Sequence, residues 1–484
     1  MSRRPTTFRV GNIPSSATLP ELKDALVNAM AVEECDAITI EATIAPATTH
    51  ADDDTNTALV TFSPQAPKFL GPLCKAEDVQ IDTPLGDLSF DKTFYGLTQL
   101  YPTTPDKRIE ADIVAVTGLD GHAFGSWRGK GELARMWLRD FLAKDLPTCR
   151  TMAYGYNTKL GHHSIHTIAD YKIDLLEQIK NARTTPEQKR RPLIFIGHSF
   201  GGIVTLQALV KSEEALEWDD DPETHSIYQA TKAVMFFGTP HHGLPTDDIL
   251  SMIDAKNNGE RAELVKSIGV GSPVLSEHLT KFGHFADRLK IFNFYERQKT
   301  RAIDITDGRP ARTGDYIIPV DTDSALLNLP YVQETAIPVD GDHSTMVKFN
   351  SQTDRTYKTI LSHLRTLLKS LADDVPPVPS ATQTYTPIPP GPKATKDLID
   401  AVTRWDAANV RMMLESGVSP NVRDLKGVTV LHHAARTGDE EIVTMLVKKG
   451  ADTNVRDFKM KTPGDYARSA GHGGLAGRLM AGML

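Results

Sequence analysis

The chain is 484 residues long, enough for about three domains at roughly 150 residues each. Hydrophobic residues make up 40% and charged residues 24%, an ordinary globular balance. A net charge of −8 leaves no electrostatic footprint for nucleic acid or for an anionic membrane surface.

Cys35, Cys74 and Cys149 are an odd, widely spaced set, which excludes a disulfide framework and has no metal-site spacing. A reducing, cytoplasmic setting is therefore expected, with no metal and no cofactor. The opening MSRRPTTFRVGN has basic residues but no apolar stretch after them, so no secretory leader is expected. No run approaches the ~18 consecutive apolar residues of a membrane-spanning helix.

Residues 1–70 open with FRVGNIP as a strand, then LPELKDALVNAM as an amphipathic helix, then AITIEATI and TALVTF as two further strands. This β-α-β-β order predicts a small ferredoxin-like α+β module. The pattern invites comparison with RNA-recognition modules, whose strands carry base-stacking aromatics. Here Thr57, Leu59 and Arg9 stand at those positions, so a structural or protein-interaction role is expected, without nucleic acid. A weaker boundary lies near residues 70–105, where apolar periodicity fades around APKFLGPLC and LYPTTPDKR.

Residues 106–372 alternate strand-like and helix-like runs, which predicts a mostly parallel sheet with helices on both faces. ADIVAVTG, CRTMAYGYN, PLIFIG, AVMFFG, LKIFNFYE and TAIPV read as strands. IADYKIDLLEQI places Ile168, Tyr171, Leu175 and Ile179 on one helical face, and YKTILSHLRTLLKSL closes the region as a helix.

Between PLIFIG and the following helix stands Gly197-His198-Ser199-Phe200-Gly201, a G-x-S-x-G sequence. In a strand-to-helix elbow of this kind a strained serine backbone lifts the hydroxyl clear of the sheet. The helix N-terminus beneath offers amide donors to a developing anion. Ser199 is thus the candidate nucleophile.

With TGLDGHAFGSW, GHSFGG, FFGTPHHG, FYE and DGDHSTMVKF in this order, residues 106–370 resemble the α/β-hydrolases. The resemblance is to the serine esterase/lipase-like group that includes the serine-active-site-containing (SERAC-type) proteins. It implies an α/β-hydrolase fold and cleavage of a carboxylic ester, with a lipid, acyl or thioester substrate, through an acyl-enzyme. Relatives usually carry histidine-glycine after the first hydrolase strand, whereas this chain has Thr117-Gly118-Leu119. Oxyanion stabilisation then falls to the backbone N–H groups of Leu119 and Phe200. His343, in the polar turn after TAIPV, fits the base that takes the Ser199 proton. For the acid, Glu296 at the end of LKIFNFYE is favoured, with Asp315, Asp321 and Asp323 as alternatives. His198 fills the elbow's variable position and reads as structural. His241 and His242 follow the Gly-Thr-Pro turn and could line the pocket, without an assigned chemical role. Residues 244–288 could form a cap over the pocket. The competing reading is a catalytically inactive hydrolase-like scaffold or signalling protein.

From Val375 to Pro392 seven of eighteen residues are proline, which predicts an extended spacer within a linker at 373–394. Beyond it Gly417, Asn421, Asp424, Thr429, Ala434 and Gly438 recur 33 residues later as Gly450, Asn454, Asp457, Thr462, Ala467 and Gly471. With TVLHHA standing in for T-P-L-H-x-A, residues 395–484 resemble a short, all-α ankyrin array that binds a protein partner. His432 and His433 belong to the turn chemistry of the repeat.

Overall fold

The computed structural model describes residues 6–48, 55–74, 76–104, 107–160, 165–218, 221–251, 253, 259–302, 304–306, 309–311, 313–329, 334–373, 392–423, 427–457 and 460–481. The Cys74 side chain, Asp424, part of the 244–288 segment and almost all of the proline-rich spacer lie outside the described residues. Two compact units emerge: residues 1–211 with 230–365, and residues 212–229 with 366–484.

The first unit holds two large sheets. Strands β1 (Thr7–Pro14), β2 (Thr39–Pro46), β3 (Thr55–Ser63), β4 (Asp78–Thr83) and β5 (Gly86–Asp91) form an antiparallel sheet in the order β2-β3-β1-β5-β4. The helix Leu19–Asn28, started by a Thr18–Glu21 capping box, buries Leu22 and Leu26 in a core with Phe8, Val10, Val60, Phe62, Leu88 and Phe90. Two of the five strands therefore lie beyond residue 70, inside the stretch where the sequence periodicity fades. Arg9 is committed within the fold: it donates to Asp91 Oδ2 at 2.6 Å, to Tyr95 O at 2.7 Å and to Thr98 Oγ1 at 3.0 Å. Leu59 is buried, and Thr57 is half-buried.

The second sheet contains β6 (Gly96–Gln99), β7 (Ala111–Val116), β8 (Cys149–Gly155), β9 (Leu193–His198), β10 (Thr231–Phe237) and β11 (Lys290–Glu296). Two short hairpins follow, β12 (Thr300–Arg301) with β15 (Tyr316–Ile317) and β13 (Asp304–Thr306) with β14 (Arg309–Ala311). The seventh strand of the sheet is β16 (Glu334–Val339), and the order runs β16-β11-β10-β9-β7-β8-β6. All neighbours are parallel except β6, which runs against β8. β7 and β8 are buried along their whole length, as parallel strands covered on both faces must be. On the helix Ile168–Asn181 the stripe Ile168, Tyr171, Leu175 and Ile179 is buried as its spacing predicts.

At the N-terminal end of these strands Asp112 is fully buried under three guanidinium groups. Arg150 grips it with two bonds of 2.8 Å, Arg183 with one of 2.5 Å and Arg191 with one of 3.1 Å. Burial pushes the Asp112 carboxyl up, but the arginines outweigh it and hold it below the usual carboxylate range. This knot ties β7, β8 and the approach to β9 at the end opposite the elbow.

In the second unit the helices Ala407–Glu415, Glu440–Lys448 and Gly473–Ala481 begin 33 residues apart, as do Val430–Thr437 and Pro463–Ser469. Thr429 and Thr462 cap equivalent helices, and Gly438 and Gly471 take left-handed φ values of 71° and 84° at equivalent ends. Leu398, Val410, Val430, Leu431, Ile442, Leu446 and Leu475 share one core. His432 is buried: Nδ1 accepts from the Thr429 backbone at 3.1 Å, and Nε2 lies 3.0 Å from the Lys461 carbonyl.

Candidate active site

β9 ends at His198, and the helix Phe200–Trp218 begins two residues later. Between them Ser199 has φ = 53°, a left-handed conformation that costs an L-residue about 1–2 kcal/mol. The turn is held from both sides. Ser199 N–H donates to Phe237 O on β10, and Gly202 N–H donates to Ser199 O, each at 2.9 Å. Gly118 stands so close that a Cβ there would lie 2.9 Å from Ser199 Cβ, so the loop after β7 tolerates no side chain at that point.

His343 lies just beyond β16, in a turn organised by Asp342. The Asp342 carboxylate accepts from Ser344 N–H at 2.9 Å and from Thr345 N–H at 2.8 Å. The imidazole lies between two groups far away in sequence. Its Nε2 is 3.0 Å from Ser199 Oγ, and its Nδ1 is 3.4 Å from Glu296 Oε1. Glu296, at the end of β11, has a fully buried side chain; Oε1 accepts from Val320 N–H at 3.0 Å, while Oε2 has no partner among the described residues. The 3.4 Å separation exceeds an ordinary N–H···O bond, so among the described residues Nδ1 also lacks a formal partner.

The other candidate carboxylates are committed or exposed. Asp321 caps the helix Thr322–Ala325 by accepting from Ser324 N–H at 2.7 Å. Asp315 and Asp323 are exposed. Glu296 is the carboxylate beside His343. Phe200, 1% exposed, opens its helix, where backbone N–H groups lack intrahelical acceptors. Leu119 is half-buried and packs on Leu160, Ile253, Ala262 and Val265, joining the loop after β7 to the 244–288 segment.

Of the remaining histidines, His241 is buried, with Nε2 3.2 Å from Asn293 Oδ1, and burial pushes its imidazole down to about 3. His242 Nε2 lies 3.2 Å from Leu327 O. Three contacts to His343 had no signal in the sequence. His198 Nε2 lies 2.9 Å from the His343 carbonyl, Thr300 Oγ1 accepts from His343 N–H at 3.3 Å, and Gly238 abuts the imidazole ring. No spacing rule links these positions; the lateral pairing of β9, β10, β11 and β16 and the separate β12–β15 hairpin bring them together.

Among the described residues no group of three or more His, Cys, Asp or Glu side chains is arranged to hold a metal, and no helix is long and apolar enough to cross a membrane.

The chain is thus a mixed α/β protein with a parallel-rich sheet and a C-terminal ankyrin region. A family model described as "Ankyrin repeats (many copies)" matches residues 413–467. About half of the chain is similar to proteins named SERAC1. The mouse (Mus musculus) protein is 26% identical over 286 residues, covering 54% of this chain and 40% of that protein. The human (Homo sapiens) protein is 25% identical over 289 residues, covering 55% and 40%. The zebrafish (Danio rerio) protein is 28% identical over 157 residues, covering 28% and 22%. The chain spans about two fifths of the length of the mouse and human relatives. This likeness fits a hydrolase-like or related scaffold.

Proposed function

We propose that the α/β portion, residues 106–372 with β6 as its edge strand, is a serine hydrolase of α/β-hydrolase fold that cleaves carboxylic esters. The observation that carries this reading is the 3.0 Å approach of His343 Nε2 to the hydroxyl of a serine in a left-handed elbow, with buried Glu296 behind the imidazole. The chain order Ser199, Glu296, His343 is the order this architecture uses.

In this mechanism His343 takes the Ser199 proton as Oγ attacks the ester carbonyl. Negative charge gathers on the carbonyl oxygen, where the N–H groups of Phe200 and Leu119 stabilise it. His343⁺, steadied by Glu296, then protonates the departing alcohol. Water, activated by the same imidazole, releases the acid from the acyl-Ser199 intermediate. No cofactor or metal enters these steps. Lipid, acyl and thioester substrates share this chemistry. The ankyrin repeats supply a protein-binding surface, and unpaired Cys35 and Cys149 suit a reducing cytoplasm.

A second reading, an inactive scaffold acting through its flanking modules, draws on the 3.4 Å gap between Nδ1 and Glu296. Apo enzymes often carry such loose contacts, which tighten with substrate, so the enzymatic reading is preferred. A fluorophosphonate probe separates them. Labelling of the wild-type protein that disappears in Ser199→Ala supports the hydrolase; an unlabelled, folded wild-type protein supports the scaffold.

A further inference from the structure

We propose that His198 is a positioning residue that fixes the main chain of His343, so that the dipeptide His198-Ser199 grips both ends of the base. The inference rests on the hydrolase reading of the site. In a regular strand successive side chains point to opposite faces, so neighbours cannot converge on one target. The left-handed turn at Ser199 breaks that alternation. Ser199 Oγ meets the His343 imidazole at 3.0 Å, while His198 Nε2 meets the His343 carbonyl at 2.9 Å. The two imidazole rings lie 5.2 Å apart.

The direction of the second contact follows from its chemistry. A carbonyl oxygen only accepts, so Nε2 must carry the proton. Burial, with the nearby His343 adding to it, pushes the His198 imidazole down to about 3. The ring is therefore neutral at working pH, with its single proton committed to His343 O.

His343 needs such a hold. It lies beyond the edge strand β16, 144 residues from Ser199, where no sheet ladder continues. Its N–H reaches Thr300 Oγ1 only at 3.3 Å. His198 is the last residue of the central strand β9 and pairs with Phe237 of β10. The base is thus anchored to the stiffest part of the sheet. A base displaced by about 1 Å can cost on the order of 100-fold in rate.

The test compares wild type with His198→Gln, whose amide keeps a donor, and His198→Leu, which has none. In the intact protein, kcat and KM are measured on p-nitrophenyl acetate, and the His343 imidazole is followed by ¹⁵N NMR across pH. His198→Leu should lower kcat by about 10- to 100-fold with KM little changed. It should also move the His343 titration midpoint. His198→Gln should restore most of both. An unchanged His343 midpoint and kcat in folded His198→Leu would overturn the inference, as would equal losses in the two variants. A shifted His343 midpoint in a wild-type protein background that hydrolyses no ester would support the clamp while sinking the hydrolase reading.

Discussion

Gly238 and His343 touch so closely that a Cβ built on the glycine would stand 3.1 Å from Nδ1 and 3.2 Å from Cε1 of the ring. Gly238 also has φ = 51°, and its N–H donates to Phe294 O at 2.8 Å. Gly238→Ala must therefore bear a left-handed backbone, costing about 1–2 kcal/mol, and crowd the imidazole and the neighbouring Met346 Sδ. The expected result is a folded protein with a slightly lower urea midpoint and ester kcat reduced by about tenfold or more. Wild-type kcat in this variant would show that the ring position is not critical.

Glu296 and Asp315 separate cleanly by mutation. Glu296→Gln keeps an acceptor for Val320 N–H but removes the charge that steadies imidazolium, so kcat should fall by about 10³- to 10⁴-fold. Asp315→Asn, at an exposed site, should leave kcat within about twofold. Steady-state kinetics on a short p-nitrophenyl ester decide it, and the reverse ranking would move the acid to the later loop.

Removing the carboxylate from the Asp112 knot should be far more damaging to stability than to chemistry. Asp112→Asn would leave Arg150, Arg183 and Arg191 buried together without an anion. Breaking such a network typically costs about 3–5 kcal/mol. Urea unfolding should register this loss, while any variant that remains folded keeps its ester KM.

Acid should loosen the first unit before its carboxylates titrate. His198 and His241 are held near 3 by burial, against 6.5 for the free side chain. The unfolded chain therefore binds protons near 6.5 that the folded chain refuses. Stability is complete above that pH and falls as pH drops from 6.5 towards 3. Urea midpoints at pH 7.5, 6 and 5 should decline in that order, and His241→Gln should weaken the decline by about one proton's worth of slope. A flat profile would mean that both imidazoles ionise freely in the native state.

What the sequence made readable was whatever chemistry writes locally. The GHSFG elbow is a contiguous string, so Ser199 with its left-handed φ was found from five residues. The 33-residue period was equally open, because each copy repeats its own cap at Thr429 or Thr462 and its own glycine at Gly438 or Gly471. His343, and Glu296 as the favoured acid ahead of Asp315, Asp321 and Asp323, rested on the family resemblance and its chain order; the fold sets His343 beside Ser199 and Glu296 beside His343. Gly238 was invisible because its importance comes from the lateral pairing of β10, β11 and β16, and Thr300 because it sits on the separate β12–β15 hairpin; no single segment encodes either contact. Strands β4 and β5 were obscured differently. Asp78–Thr83 alternates polar and apolar residues over only six positions, and the broken pattern of APKFLGPLC precedes it.

Strand order also sets a timetable for synthesis. The amino-terminal sheet is complete with β5, so its last strand has been made by residue 91. The larger sheet must wait for β16, the last of its strands to be made, and His343 emerges only after that. Ser199 precedes its partner by 144 residues, an interval of roughly 7–30 s at ordinary translation speeds. Through that interval the nascent elbow has no imidazole to face, so the Ser199–His343 pair can form only when the final strand has joined the sheet.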